Sequence, residues 1–224
     1  MDWYKKKPAE LAEELGTDLK NGLSTSKAEQ ILKEHGHNEL EAEKKASLFS
    51  KFVDQFKDPL TIILIIAAIL SAFLGDLIET AIILAIVVIN AGLSIYQEGK
   101  AEEAVEALQE MSSPSAKVIR DGKELEILSK NIVPGDIVLL ETGDIVPADI
   151  RLIESSNLQI DESSLTGESV PVEKDAKVNF EEVTEIGDRT NYAHSSTIVS
   201  YGRGKGLVTD TGHDTEIGKI ATSL

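Results

Sequence analysis

The chain has 224 residues, with 39 acidic and 22 basic side chains and a formal net charge of −17. So acidic a surface argues against a nucleic-acid partner, whose phosphates call for a basic face. The absence of cysteine excludes a disulfide framework, a thiolate metal site, a cysteine nucleophile and a Cys-x-x-Cys metal-binding leader. The mean hydropathy of −0.07 averages two unlike parts, one almost free of charge and rich in Ile, Leu and Ala, the other strongly acidic.

Residues 1–20 are charged and lack an apolar core, so they do not read as a secretory signal peptide. Two short soluble helices are expected over residues 1–47. The first opens at Pro8, carries a stripe of Leu11, Ala12 and Leu15, and stops at Gly16. The second starts between Ser24 and Ser26, where Ser26 with Glu29 fits a capping box. It buries Ala28, Ile31 and Leu32 and ends at Gly36. Helices this short are unstable alone, so both are expected to pack on the later domain.

Residues 48–75 combine an amphipathic lead-in (Leu48, Phe49, Phe52, Val53 and Phe56 opposite Lys51, Asp54 and Lys57) with a first spanning helix. Asp58-Pro59 kinks or restarts the chain, and Pro59 to Gly75 is a charge-free run of about 17 residues against the roughly 20 a span requires. Residues 76–111 hold the second span, a charge-free run of about 18 residues continued by a cytoplasmic stalk. Ala101, Ala104, Val105, Leu108 and Met111 keep the helical period up to Pro114, with Gly99 as a weak point. One rod of about 50 Å results at 1.5 Å per residue. Lys51, Lys57 and Lys100 flank the outer ends, and Asp76 and Glu79 sit in the connecting turn, so the positive-inside rule places both termini in the cytoplasm. Glu79 is expected at the outer interface and Asn90 against a neighbouring helix.

From residue 112 to 224 the period becomes that of strands. Lys117 to Arg120 and Lys123 to Ile127 flank Asp121-Gly122, a hairpin signal. Further short strands are expected at Ile137 to Leu140, Ile150 to Ile153, Leu158 to Ile160, Thr197 to Tyr201 and Leu207 to Thr209. Gly202-Arg203-Gly204-Lys205-Gly206 reads as a hairpin turn between the last two, lacking the spacing of a phosphate loop. Pro134-Gly135-Asp136 and Pro147-Ala148-Asp149 read as turn formers, Asp175 to Arg189 as loop, and His35, His37, His194 and His213 as surface histidines. The fold class is therefore membrane α+β: a two-helix transmembrane hairpin, a mainly-β, jelly-roll-like cytoplasmic domain and a small N-terminal helical segment.

The string Asp161-Glu162-Ser163-Ser164-Leu165-Thr166-Gly167-Glu168-Ser169-Val170-Pro171 carries the chemistry. Its centre, Thr166-Gly167-Glu168-Ser169, resembles the actuator loop of the P-type ATPases. Val133-Pro134-Gly135-Asp136 and Gly143-Asp144-Ile145-Val146-Pro147-Ala148-Asp149 precede it in that family's order, and Thr215-Glu216-Ile217-Gly218-Lys219-Ile220 follows. Gln97-Glu98, Ala101-Glu102-Glu103-Ala104, Gly22-Leu23-Ser24 and Gly36-His37-Asn38-Glu39-Leu40 are also similar to the family.

The resemblance implies a cycle in which an aspartate takes the γ-phosphoryl group of ATP and the resulting acyl phosphate is hydrolysed. Glu168 would position and activate the water, Gly167 would permit close approach, and Thr166 and Ser169 would hold the loop through their hydroxyls. ATP and Mg2+ would be bound by parts absent from this chain, which itself binds neither. The partners implied are membrane lipid, the remaining pump domains and a transported cation. Asn90-Ala91, Gln97-Glu98 and the Val-Pro-Gly-Asp motif point to the calcium-transporting branch, with a proton or sodium exporter still open. The family's aspartate followed by Lys-Thr-Gly-Thr does not occur, so the chain alone is expected to be inactive, the N-terminal part of an integral, multi-pass pump of the cell membrane. The alternative is a non-enzymatic two-helix membrane protein whose β-domain binds a partner or regulates a full-length pump.

Overall fold

The computed structural model describes residues 2–40, 47–112 and 114–222, without the side chains of 48, 49, 51, 55 and 106–112. The expected apolar positions Leu48, Phe49, Leu108 and Met111, and the flanking Lys51, therefore lie outside the described side chains. The chain divides into two compact units, residues 1–42 with 113–224, and residues 43–112.

In the first unit α1 (Pro8–Glu14) places Pro8 at its first position, where the missing N–H costs nothing. α2 (Thr25–His35) is capped by Ser24, whose Oγ accepts from Lys27 N–H at 3.3 Å. The expected capping box at Ser26 and Glu29 is thus replaced by a single cap at Ser24: Ser24 has the extended backbone that a cap requires, and Ser26 is already helical.

In the second unit α3 (Leu48–Gln55) ends before Asp58, whose carboxylate accepts from Thr61 N–H at 3.0 Å and starts α4 (Pro59–Phe73) afresh. α4 has 15 residues, about 22 Å at 1.5 Å per residue and short of a hydrocarbon core of about 30 Å. α5 (Leu77–Ser112) runs unbroken through Gly99 for 36 residues, and its Leu77–Val105 stretch is long and apolar enough to cross a membrane. Ala68 and Ser71 of α4 and Val87 and Ala91 of α5 are buried, and Thr80 Oγ1 reaches Ala68 O at 3.5 Å. Glu79 accepts from Ser71 Oγ at 3.4 Å. Asn90 lies on the exposed flank of α5 rather than against α4.

The rest of the first unit is one seven-stranded antiparallel sheet, β1 (Ser115–Arg120), β2 (Lys123–Leu128), β3 (Ile137–Glu141), β4 (Asp149–Asp161), β5 (Val172–Glu173), β6 (Tyr192–Ala193) and β7 (Ile198–Asp210). The order is β2-β1-β3-β7-β4-β5, with β6 paired to β4. A single helical turn, α6 (Ser163–Thr166), follows β4, and α7 (Glu216–Thr222) follows β7. Asp121-Gly122 makes the expected two-residue turn, with φ of +51° and +71°. Asp121 Oδ2 also accepts from Thr25 N–H and Oγ1–H at 2.9 and 2.7 Å, tying α2 to the hairpin.

Two pairs of expected strands are each one long strand. Ile150 to Ile153 and Leu158 to Ile160 are both β4, and Thr197 to Tyr201 and Leu207 to Thr209 fall along β7. Register shifts along the β4–β7 ladder interrupt the alternation that marks a strand in sequence. The segment Gly202–Gly206, expected as a hairpin turn, is the interior of β7. A Cβ on Gly204 would sit 2.7 Å from Leu158 Cδ2, and one on Gly206 would sit 2.2 Å from Ile150 Cγ2. These glycines let β4 side chains press onto the neighbouring strand.

The strands bury both faces with period two. Val118, Val138, Ile150, Leu152 and Val208 share one core, while Ile137 and Leu207 face Trp3, Tyr4, Leu11 and Ala12 in a second. The N-terminal helical segment thus covers a sheet face that would otherwise expose Ile and Leu to water.

Candidate functional site

β4 ends at Asp161, whose Oδ1 accepts from Ser163 N–H at 2.9 Å and launches α6. Leu165 N–H and Thr166 N–H both donate to Glu162 O at 2.9 Å. The turn stops at Gly167, φ +79°, with nothing within 4 Å of a built Cβ. Glycine is required there by backbone angle alone, since the left-handed region costs an L residue about 1–2 kcal/mol. Thr166 Oγ1 donates to Glu162 O at 3.1 Å and accepts from Glu168 N–H at 3.2 Å. This hydroxyl relay sets the direction in which the chain leaves the turn. Glu168 and Ser169 are exposed, and the Ser169 hydroxyl has no hydrogen-bond partner among the described residues.

The base of the turn is a buried ion pair. Lys174 Nζ lies 2.7 Å from Glu162 Oε1, and neither side chain is exposed. Burial pushes the Glu162 carboxyl up, against the pull of Lys174, and pushes the Lys174 amine down. Lys174 Nζ also donates to Arg189 O at 3.2 Å. One wall of an open groove beside Glu168 is the segment Thr184–Arg189, expected from sequence only as loop. Gly187 abuts the turn: a Cβ there would lie 3.2 Å from Thr166 Cγ2.

Behind this wall several expectations are corrected. His194, expected on the surface, is 1% exposed, its Nδ1 lies 3.9 Å from Asp149 Oδ1, and its ring packs 5.2 Å from that of Tyr192. Burial, then the charges of Lys174 and Arg189, pull its pKa down to about 3, so it is a neutral core residue at pH 7. Asp149, expected to shape a turn, is buried and accepts from Ser195 N–H at 2.9 Å and Glu216 N–H at 2.8 Å. It joins β4 to the approach to β7 and to the start of α7. Burial raises its pKa to about 6, against the lowering effect of those two amides. Asp136 closes the expected Val133–Asp136 turn, its N–H donating to Val133 O at 3.1 Å, and is also a buried partner of Arg120, with Nε–Oδ1 at 2.8 Å and Nη2–Oδ2 at 2.6 Å. His35 and His37 are exposed, as expected.

Sequence reasoning also missed Arg151, which is fully buried without a carboxylate partner among the described residues. Its guanidinium donates to carbonyls of Lys6, Leu152, Ala176, Val178 and Asn191 and to Asn179 Oδ1. A charged residue between Ile150 and Leu152 in a strand was the available signal.

The arrangement offers one exposed carboxylate on a stiff turn. The Gly202–Gly206 backbone is committed to the sheet and so does not form a phosphate cradle. Among the described residues no group of three or more His, Asp or Glu side chains could hold a metal ion.

The chain thus combines an antiparallel β-domain that presents a glycine-hinged acidic turn with a long apolar helix. Residues 110–224 match the P-type ATPase actuator domain, and residues 3–71 match the cation transporter/ATPase N-terminus. The chain belongs to the P-type ATPase family. It is 46% identical to a calcium-transporting ATPase of Bacillus cereus over all of this chain and 26% of that protein. It is 47% identical to a calcium-transporting ATPase of Listeria monocytogenes over all of this chain and 25% of that protein. A sodium/potassium exporting P-type ATPase of Schizosaccharomyces pombe is 44% identical over 93% of this chain and 20% of its own length. The chain spans about a quarter of the length of the two bacterial relatives.

Proposed function

We propose that this chain is the N-terminal part of an ATP-driven calcium pump, in which Glu168 drives hydrolysis of the aspartyl-phosphate formed elsewhere in the pump. The observation that carries this reading is the Thr166 relay, which holds Glu168 exposed above a buried ion-pair base. A carboxylate is repelled by a phosphate and helps only when its distance and angle are set in advance. With the phosphorylated domain docked, Glu168 takes a proton from water as the water oxygen bonds to phosphorus. The P–O bond to the aspartate breaks, regenerating the aspartate carboxylate and releasing phosphate.

ATP and Mg2+ act in the phosphorylation half of the cycle, on other domains. α4 and α5 both cross the cell membrane and leave both ends of the segment in the cytoplasm, consistent with Lys57 and Lys100 at the outer ends, Asp76 between the helices and Glu79 in the first turn of α5. The short α4 is accommodated by local thinning and by the amphipathic α3 lying at the interface. α5, about 54 Å long at 1.5 Å per residue, exceeds the hydrocarbon core, and its cytoplasmic turns carry movement of the actuator domain to the membrane.

In the whole pump, Glu168→Ala should leave phosphorylation from ATP intact and slow dephosphorylation roughly 10²- to 10⁴-fold. A phosphoenzyme that turns over at its normal rate in that variant would remove Glu168 from this role. Calcium rather than sodium should trigger phosphorylation from ATP, and the reverse result would assign the pump to an exporter like the yeast relative.

A further inference from the structure

The wall beside Glu168 is held from an unexpected direction. Among the described residues, Asp188 N–H donates to Glu185 O, Arg189 N–H to Ile186 O and Thr190 N–H to Asp188 O, while the far end is anchored by Tyr192 N–H to Arg189 O and Asp175 N–H to Thr190 O. None ties residues 184–188 to a strand, so side chains set where this segment sits.

The chief one is Tyr4, 180 residues earlier in the chain, 2% exposed and part of the N-terminal cover of the sheet. Thr184 N–H donates to Tyr4 Oη at 3.2 Å. The Arg189 guanidinium lies over the Tyr4 ring, with Cζ 4.3 Å from its centroid, and Arg189 Nε donates back to Thr184 O at 3.1 Å. Tyr4 is itself fixed, because its carbonyl accepts from Asn191 Nδ2 at 2.8 Å and its ring meets Phe180 edge-on at 6.1 Å. Thr184 therefore rests on the Tyr4 hydroxyl, and the Arg189 guanidinium rests on the Tyr4 ring.

We infer that Tyr4 is a positioning residue for dephosphorylation: it props the Thr184–Arg189 wall, which through Gly187 holds Thr166 and so aims Glu168. The inference rests on the proposed role of Glu168 and extends it to the N-terminal segment, making that segment a place where a change near residue 4 reaches the phosphate chemistry. Thr166 is the pivot, because its methyl occupies the space where a side chain at Gly187 would stand and its hydroxyl holds Glu168 N–H. A shift of the wall releases the methyl and lets the relay slacken. Catalytic geometry is steep: a misplacement of about 1 Å can cost roughly 10² in rate.

The test uses the whole pump with Tyr4→Phe, Tyr4→Ala, Glu168→Ala and the Tyr4→Phe/Glu168→Ala double variant. Rates of phosphorylation from ATP and of dephosphorylation are measured separately. Tyr4→Phe removes only the hydroxyl and should slow dephosphorylation roughly 3- to 10-fold, the range of one hydrogen bond. Tyr4→Ala also removes the ring from Arg189 and should slow it more, and phosphorylation from ATP should be unchanged in both. The double variant should be no slower than Glu168→Ala, because Tyr4 acts through Glu168. A parallel fall in both rates, or an additive loss in the double variant, would reduce Tyr4 to a stability role and overturn the inference. So would normal dephosphorylation in Tyr4→Ala alongside a slow Glu168→Ala.

If Glu168→Ala is itself normal, the role of Glu168 fails, and amide exchange decides the strut alone. Tyr4→Phe should raise exchange at Thr184 N–H if the strut exists, and unchanged protection there would refute it.

Discussion

Lys174 is the residue whose loss should expose how the actuator turn is supported. It lies 2.7 Å from Glu162 with neither side chain exposed. Lys174→Met leaves a carboxylate in the core without a counter-charge, a change that costs about 3–5 kcal/mol for buried pairs. Burial already pushes the Glu162 carboxyl up, so the variant responds partly by protonating it, which places the loss toward the lower end. At about 2–4 °C per kcal/mol for a protein of this size, the melting temperature should fall by roughly 10 °C. The only tryptophan, Trp3, packs in the core shared by the N-terminal segment and the sheet. Its fluorescence during heating in detergent micelles therefore reports this unit and not the apolar helices. Replacing both partners, Glu162→Met with Lys174→Met, removes the two desolvated charges together and should restore the melting point to within about 3 °C of the parent. A single variant that melts with the parent, or a double variant no more stable than the single one, would show that the pair does not support the turn.

His194 gives a pH signature. Its folded pKa of about 3 lies below the ordinary 6.5, so its contribution is fully present above pH 6.5 and is lost as pH falls toward 3. Asp149, raised to about 6, acts oppositely, adding stability as pH falls from 6 toward its ordinary value. The two nearly offset in the parent, so the informative measurement is the difference from His194→Phe. Between pH 7 and 4.5 that variant should gain about 3 kcal/mol relative to the parent in denaturant titrations, and a constant difference across that range would refute the burial argument. Gly206→Val puts a branched side chain where even a Cβ meets Ile150 at 2.2 Å; it should destabilise by about 1–3 kcal/mol or more, and an unchanged melt would contradict the close strand approach. Gly167→Ala meets no atom within 4 Å but keeps φ +79°. It should cost only about 1–2 kcal/mol while slowing dephosphorylation in the whole pump, and normal dephosphorylation would mean that the angle at this position is not used.

What the amino-acid sequence determined by itself is what a few neighbouring residues can specify. Pro8 opens α1, Asp58 restarts the chain at α4, Asp121-Gly122 turns the hairpin, and the apolar run from Leu77 makes a long helix, because caps, turns and periodicity act over a handful of residues. The string from Thr166 to Ser169 was legible for the same reason, being contiguous. Tertiary structure decided everything set by residues far apart in the chain. Gly202 to Gly206 read locally as a turn, yet they form the middle of β7 because Leu158 and Ile150 of another strand need the space their missing side chains leave. His194 and Asp149 looked like surface and turn residues, but the sheet and α7 close over them, and the resulting loss of hydration shifts both toward their neutral forms. Ser24 rather than Ser26 caps α2 because Leu23, just before Ser24, pairs with Arg120 of the hairpin and keeps the chain extended up to the cap. The wall beside Glu168 has no pattern of its own. Its position comes from Tyr4 and Lys174, and that dependence was invisible until the chain brought its first residues against residue 184.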